Sequence, residues 1–325
     1  GWNDIRGAWD LLGQVNVWIL LLLIPVQIFS YYATGGMIFA YLRSKGHLKQ
    51  VSRWRMTRIS LELNFVNHII PSGGAVGFSY LGWVLHHYGV RAGTATMAQI
   101  VRFTLTFLTF IILLGIAVII LAADHQINRV IALICGGIAA TAIAGLFFTI
   151  YLLQNKHRLN RLATKLTNVG NKVVAFFTRG KRTDAINREI IGRFFDEVHE
   201  DYIEIRRDKK VLIKPLIWGV VANLADVALF AVAFMALGVW VNPAVLLIAF
   251  GLSSIASIFS VTPGGAGVYE AIMIAFMATA GVPADIAIAG TLLARVMLIC
   301  GTIVFGYFFY QLTVSKHGGA KPIQR

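Results

Sequence analysis

Long runs of apolar residues dominate the chain and determine its predicted elements. The hydrocarbon core of a bilayer is about 30 Å thick, and roughly 20 apolar residues in helical conformation cross it. Runs of this length with few charges predict spanning helices over Val15–Leu42, Met97–Ala122, Val130–Leu153, Leu216–Gly238 and Ile286–Leu312. The expected fold class is therefore an all-α polytopic membrane protein.

Two further apolar stretches, Ile59–Leu85 and Ala244–Ala280, are interrupted near their middles. The interrupting residues are Pro71, Gly73 and Gly74 in the first stretch and Pro263, Gly264 and Gly265 in the second. Proline lacks the backbone N–H and glycine lacks a Cβ, so both motifs disfavour a continuous helix. Each half has about 10 to 15 residues, enough to reach half-way through a bilayer. We expect two re-entrant helix pairs; a kinked spanning helix or a hairpin of short spans are the alternatives.

Composition agrees with a membrane location. Of the 325 residues, 57% are hydrophobic and 14% charged, with a mean hydropathy of +0.72, which is too apolar for an ordinary soluble domain. Cys135 and Cys300 both fall inside predicted helices, so no disulfide framework is expected. The sequence contains no set of residues at metal-ligand spacing and no Lys-Ser/Thr after a Gly-rich loop, so no metal or other cofactor is expected.

Basic residues concentrate in two segments. Six Lys and Arg lie between Arg43 and Arg58, and fifteen lie between Lys156 and Lys214. The positive-inside rule places both segments in the cytoplasm. The predicted helix Val15–Leu42 then ends in the cytoplasm, which leaves the N-terminus outside. We therefore expect a further helix before Gly1 in the natural protein. The net charge of +14 suits anionic lipid headgroups, and nucleic acid is not an expected partner.

The basic loop 154–210 contains an amphipathic pattern. Apolar residues recur at three- and four-residue spacing, opposite a charged face, at Ile191, Phe194, Phe195, Val198, Tyr202 and Ile205. This spacing predicts a helix. The helix could lie in the membrane interface or pack on the membrane domain, but the simplest expectation is a solvated polar face. A soluble partner could also dock on this loop.

The two interrupted stretches resemble each other in their surroundings. Gly73-Gly74-Ala75 aligns with Gly264-Gly265-Ala266, Gly89-Val90 with Gly281-Val282, and Arg102 with Arg295. Three spanning helices separate the copies, so they would point in opposite directions, as in the inverted repeats of secondary transporters. We expect one domain, 1–325, with a first repeat 15–122, a cytoplasmic loop 154–210, a second repeat 211–313 and a basic tail 314–325.

Ionisable side chains inside apolar segments are costly unless they are paired or hydrated, and they often mark a site. We expect Arg102 and Arg295 to bind a phosphate, with Glu62 and Glu270 pairing with them, with an amine or with a proton. His68 and Asn67 are candidate lining residues, and Asp226 lies nearer the interface. Structural salt bridges, such as Glu270 with Arg295, are the competing interpretation. The helix N-termini that follow the glycines would also favour an anion.

At these residues the chain resembles the membrane domain of lysyl-phosphatidylglycerol synthase/flippase proteins. The segments that carry the resemblance are Asn67-His68-Ile-Ile-Pro71-Ser-Gly-Gly74, Ser260-Val-Thr-Pro263-Gly-Gly-Ala-Gly-Val-Tyr-Glu270 and Leu-Leu-Ala-Arg295. The resemblance implies a domain that moves a phospholipid, aminoacylated in the best-known members, between leaflets of a prokaryotic cytoplasmic membrane. It assigns functional importance to both Pro/Gly-Gly motifs, Glu270 and Arg295.

The expected function is therefore a lipid flippase or floppase that takes an anionic or aminoacylated phospholipid through a polar cavity near the midplane. Synthase activity is not expected, because only a short basic tail follows the last predicted helix. Two other functions stay open at this point. One is a membrane-embedded headgroup transferase with Glu270 as base, and the other is a scaffold for a soluble partner.

Overall fold

Helices account for nearly all of the chain in a computed structural model, which describes residues 2–69, 75–123, 129–177, 188–258, 260 and 262–317. The α-helices are α1 (Trp2–Leu12), α2 (Val17–Leu20), α3 (Leu23–Ser44), α4 (Arg53–Ile69), α5 (Ala75–His86), α6 (Ala92–Ala123), α7 (Arg129–Leu153), α8 (Lys156–Phe177), α9 (Arg188–Arg207), α10 (Ile213–Ala236), α11 (Pro243–Ile258), α12 (Val268–Thr279) and α13 (Ala284–His317). Short 3-10 turns lie at Lys209–Leu212 and Pro263–Gly265. No β-strand occurs in these residues.

The five predicted spanning helices are confirmed within the described part of the chain. The apolar spans are Val17–Ser44, Ala92–Ala123, Arg129–Leu153, Lys209–Ala236 and Ala284–Ser315. Most extend a few residues beyond the prediction, because their end turns carry the polar residues that meet headgroups and water and that an apolar window leaves out. The protein is therefore a multi-pass membrane protein.

Both interrupted stretches divide into two helices. In the first, α4 ends at Ile69 and α5 begins at Ala75, and the predicted break residues Pro71, Gly73 and Gly74 lie outside the described residues. In the second, α11 ends at Ile258 and α12 begins at Val268. The intervening Gly264, Gly265 and Gly267 have φ values of 59°, 72° and 88°. These left-handed values suit glycine and are rare for residues with a Cβ, which explains why a helix cannot continue here.

The buried apolar side chains form two clusters. The α11–α12 core joins those helices to the C-terminal parts of α6 and α10, with Phe110, Phe234 and Met273 among its buried members. The α4–α5 core joins those helices to the C-terminal part of α3 and the N-terminal part of α6, with Tyr41 and Leu81. Helices α3, α6 and α10 pass through both clusters, so their middle turns lie between the two clusters.

Small residues let the long helices approach closely. A Cβ on Gly36 of α3 would lie 2.6 Å from the Trp218 ring of α10. A Cβ on Gly306 of α13 would lie 2.4 Å from Cβ of Phe65 in α4. Small residues at helix crossings are the usual device for packing helices in lipid, where apolar burial gives little driving force.

The amphipathic helix predicted in the basic loop is confirmed as α9, but the expectation of a solvated polar face is wrong. Val198 is buried in the α4–α5 core. On the acidic face, Asp201 is fully buried and accepts a hydrogen bond from Lys45, and Glu197 accepts one from the backbone N–H of Gly93 at 2.9 Å. The unpaired N–H groups at the start of α6 and the cation at the end of α3 attract this face. Helix α9 therefore packs on the membrane domain.

Two helices have no counterpart in the sequence prediction. Helix α1 packs against α13, where a Cβ on Gly7 would lie 3.2 Å from the Asp285 side chain. Helix α8 pairs with α9 beside the ends of α6 and α7. Both are amphipathic with low mean hydropathy, so a search for spanning segments passes over them.

Candidate functional site

A polar cavity of about 280 Å³ lies where the two apolar cores meet. Its lining includes Ser30, Tyr31, Thr34, Asn64, His68, Arg102, Thr106, Asn223, Asp226, Tyr269, Arg295 and Thr302. On α3, Ser30 is about 20 Å along the helix from either end of the span, given a rise of 1.5 Å per residue. The cavity is therefore near the middle of the membrane.

Arg102 is the charged group in this cavity with the least protein support. The residue is 8% exposed, and its buried Nε donates no hydrogen bond to any described residue. Its guanidinium lies 4.4 Å from the ring centroid of Phe103, which covers one face of the cation. A buried donor without a partner costs about 1 to 3 kcal/mol, more when it is charged. An anionic ligand would remove this cost.

Asp226 brings a carboxylate to the same cavity. Its Oδ1 accepts a hydrogen bond from the Ser30 hydroxyl at 2.5 Å, across the packed pair α3 and α10. Asn223, one turn earlier on α10, donates to Thr109 Oγ1 at 2.8 Å and so orients the polar face of that helix. The cavity therefore offers both a cation and an anion to a ligand.

Arg295 has a different environment from Arg102. Its Nε donates to Glu270 Oε1 at 2.5 Å, and its Nη2 donates to the carbonyl of Gly264 at 2.8 Å. Its guanidinium lies 4.3 Å from the ring centroid of Tyr269. Arg295 thus lines the cavity and at the same time fastens α13 to the second Gly-Gly motif and to α12. The predicted Glu270–Arg295 salt bridge is confirmed.

The end of α4 meets the second break. A Cβ on Gly264 would lie 3.2 Å from Cδ2 of His68, which follows Asn67 near the end of α4. His68 is held by a hydrogen bond between its Nδ1 and the carbonyl of Asn64 at 2.8 Å. His68 also lines the cavity, and its contribution to substrate binding stays a prediction. The residues just before one interruption therefore contact the other.

The start of α12 does not present all of its N–H groups to a ligand as expected. Glu270, in the first turn, accepts a hydrogen bond from the backbone N–H of Gly267 at 2.6 Å through its Oε2. An acidic side chain in the first turn stabilises a helix by this contact and by its interaction with the helix dipole. The Gly267 N–H is therefore already occupied by the protein's own carboxylate.

Glu270, which contacts Arg295, is not itself among the residues that line this cavity, and neither are two other predicted site residues, Glu62 and Asn67. Glu62 is fully buried between α4, α5 and α13, where it accepts hydrogen bonds from Tyr80 at 2.8 Å and Thr313 at 2.7 Å. Asn67 faces α5, and a Cβ on Gly77 would lie 2.2 Å from its Oδ1. Their contribution to substrate binding stays a prediction, and neither is among the groups that the structure brings together.

Several lining residues were missed by sequence reasoning. Gln27, Ser30, Tyr31 and Thr34 occupy one face of α3 at positions i, i+3, i+4 and i+7. Gln27 Nε2 donates to the carbonyl of Leu298 at 2.8 Å, and Tyr31 hydrogen bonds to Thr302. A stripe of polar residues on one face of a spanning helix indicates that this face lies inside the helix bundle. It is a weaker indication than a charged residue in the same helix.

The donor set suits a phosphate and an amine better than a metal ion. Arginine binds phosphate through planar, charge-assisted hydrogen bonds, and a carboxylate binds ammonium. No group of three or more His, Cys, Asp or Glu able to hold a metal occurs among the described residues. The volume is at the low end for ligand pockets and matches a headgroup rather than a whole lipid.

Comparison with known proteins places this geometry in context. A profile of the lysylphosphatidylglycerol synthase TM region matches residues 2–306. A UPF0104 membrane protein of Methanothermobacter thermautotrophicus is 24% identical over 210 residues, covering 62% of this chain and 59% of that relative. The match therefore spans less than two thirds of the relative's length. No solved structure matches the chain.

Proposed function

Because the chain belongs to the lysylphosphatidylglycerol synthase TM region family, we propose that it moves an anionic or aminoacylated phospholipid between the leaflets of its membrane. The headgroup passes through the central cavity while the acyl chains stay in the bilayer. The observation that carries the proposal is Arg102, a nearly buried cation in a polar cavity at mid-membrane, whose Nε has no hydrogen-bond partner in the described part of the chain.

The proposed headgroup contacts follow from the two kinds of charge that line the cavity, two arginines and one aspartate. Arg102 binds the phosphate, and Arg295 adds positive potential while it stays fastened to Glu270. Asp226 receives the amine of an aminoacylated headgroup, displacing or sharing the hydrogen bond from Ser30. A headgroup that carries both charges would satisfy both sides of the cavity, which is why an aminoacylated lipid suits it.

We further propose that the two interrupted stretches are an inverted pair of re-entrant elements. Helices α5 and α12, which follow the interruptions, are each 12 residues long. Both end at a Gly-Val pair whose glycine has a positive φ, 74° at Gly89 and 87° at Gly281. In both, the valine N–H bonds to the carbonyl five residues earlier, at 3.1 and 3.0 Å. The same cap ends α10, so the cap alone does not indicate a repeat. The support comes from its position, because in both copies the cap lies between an interruption and a helix that carries an arginine.

The structure gives a headgroup transferase less support than transport. A general base needs a free lone pair directed at its substrate. In Glu270, Oε1 accepts from Arg295 and Oε2 accepts from Gly267, so both oxygens are engaged. Transport needs only binding groups that face a cavity, and the cavity supplies these.

The experiment that tests the proposal is a leaflet-exchange assay in proteoliposomes. The full chain is reconstituted with a small fraction of fluorescent phosphatidylglycerol or its lysyl ester, and outer-leaflet label is bleached with dithionite over time. We expect the wild type to accelerate exchange and Arg102→Gln to reduce it at least tenfold, because the phosphate loses its charge-assisted partner.

Arg58→Gln is the matched control for this substitution. Arg58 also has a buried, unpartnered Nε among the described residues, but it lies over the Phe309 ring and does not line the cavity. Its exchange rate should match the wild type. Folded protein with no exchange of either lipid, or an equal loss in both variants, would contradict the proposal.

A further inference from the structure

A second pocket, distinct from the central cavity, lies at the end of the bundle that carries the basic residues. This basic pocket has a volume of about 400 Å³ and contains three cations, Arg43, Arg53 and Lys214. Arg43 is in the last turn of α3, Arg53 is the first residue of α4, and Lys214 is the second residue of α10. The ends of three helices thus bring three positive charges to one place.

The charge balance of the basic pocket differs from that of the central cavity. No Asp or Glu is among its lining residues, whereas Asp226 lines the central cavity. Arg53 and Lys214 are exposed and form no ion pair with any carboxylate in the described part of the chain. The buried Nε of Arg43 has no hydrogen-bond partner there either. The three cations are available to an anion.

An apolar groove continues from this pocket along α3. The α3 groove, of about 470 Å³, is lined by Pro25, Ile28, Phe29 and Trp54. It shares Tyr32, Arg53 and Thr57 with the basic pocket, so the two are continuous. From Tyr32 back to Pro25 the groove follows α3 for about 10 Å, away from the basic end of the helix and past the level of Ser30. Phe29 and Trp54 are 47% and 56% exposed, as expected for side chains that face lipid.

The geometry points to a binding site for an anionic phospholipid, with its phosphate among Arg43, Arg53 and Lys214 and one acyl chain in the α3 groove. The positive-inside rule places this end of the bundle on the cytoplasmic side, so the lipid comes from the inner leaflet. A free phosphate would use the cations but not the groove. A zwitterionic lipid would bring a cation into a pocket that has no carboxylate to receive it.

This site does not depend on the proposed transport function, because none of its three cations lines the central cavity. Its test is lipid binding to the full chain in mild detergent, measured by native mass spectrometry with added dioleoyl phosphatidylglycerol. We expect one lipid to be retained at least tenfold more tightly than dioleoyl phosphatidylcholine. Glycerol phosphate, which has no acyl chain, should not compete at the same concentration.

The double variant Arg53→Gln/Lys214→Gln tests the cations. Each basic residue near a membrane surface contributes roughly a fivefold factor in affinity for an anionic lipid, so we expect a loss of about 25-fold. Arg43 is left intact, because its Nη2 donates to the carbonyl of Val51 at 2.7 Å and supports the turn after α3.

The double variant Lys209→Gln/Lys210→Gln is the matched control. It removes the same charge from the 3-10 turn that precedes α10, outside the basic pocket, and should bind the lipid as the wild type does. An equal loss in the control would mean general charge attraction and would overturn the proposal. So would equal binding of phosphatidylcholine or competition by glycerol phosphate. Both double variants are also measured in the Arg102→Gln background, so that a lipid bound in the central cavity does not contribute and failure of one proposal can be told from failure of the other.

Discussion

Replacing Arg295 by alanine should destabilise the fold, and by much more than the equivalent change at Arg102. Arg295 joins three elements, because its Nε bonds Glu270 in α12 and its Nη2 bonds the Gly264 carbonyl in the second break. The two side chains of the pair are only 10% and 14% exposed. Without the arginine, the carboxylate of Glu270 is left nearly buried with the Gly267 N–H as its remaining hydrogen-bond donor among the described residues.

The expected size of the effect follows from this burial. Removing one partner of a buried ion pair costs about 3 to 5 kcal/mol, because the other charge stays behind uncompensated. Glu270→Gln retains the shape of the side chain and its acceptor oxygen, so about 1 to 2 kcal/mol is expected. Arg102→Gln should cost less than about 1 kcal/mol, since the Nε of that arginine has no protein partner to lose in the described residues.

Unfolding in mixed micelles with increasing sodium dodecyl sulfate measures these differences through the fluorescence of the seven tryptophans. A double-mutant cycle of Glu270→Ala and Arg295→Ala isolates the pair, with an expected coupling free energy of about 1 to 3 kcal/mol. If Arg295→Ala unfolds at the wild-type detergent fraction, or if the coupling is below about 0.5 kcal/mol, the salt bridge does not stabilise the fold and the reasoning fails.

Two further predictions concern packing. Gly306→Ala should destabilise the α4–α13 crossing by about 1 to 3 kcal/mol, because its new Cβ would lie 2.4 Å from Cβ of Phe65; Gly115→Ala, with open space within 4 Å, should be neutral or stabilising in the same detergent titration. Asp201→Asn should speed hydrogen–deuterium exchange in α9, because the fully buried carboxylate loses its ion pair with Lys45; unchanged exchange in α9 would contradict this contact's role.

The sequence was sufficient to predict the elements whose length is determined by the thickness of the bilayer. A spanning helix needs a minimum length of apolar residues, so the five spans could be placed to within a few residues. The interruption at Gly264 and Gly265 could also be predicted, because a proline followed by two glycines disfavours a continuous helix. Helices α1 and α8 were missed, since nothing in the physics of the bilayer requires an amphipathic surface helix at a given place.

The site was harder to predict than the fold, because helix rotation decides which charges meet. Glu62, Arg102 and Glu270 all lie in apolar segments, so the sequence alone assigns each of them a similar free-energy cost of burial. In the structure Glu62 is surrounded by hydroxyl donors at another place, whereas Arg102 lines the cavity. Side-chain direction depends on packing between helices distant in sequence, and single-sequence patterns do not contain it.

Arg102 and Arg295, the matching positions of the proposed repeat, have different surroundings. Each follows a Gly-Val pair at nearly the same interval and each lines the central cavity. Arg295 has a protein carboxylate and a carbonyl as partners, so its charge is largely compensated and it holds the second break in place. The Nε of Arg102 has no partner among the described residues, and its guanidinium, which shares the cavity with Asp226, lies over a ring face, so its charge is less compensated than that of Arg295. We therefore expect substrate binding to depend on Arg102, and the shape of the cavity to depend on Arg295.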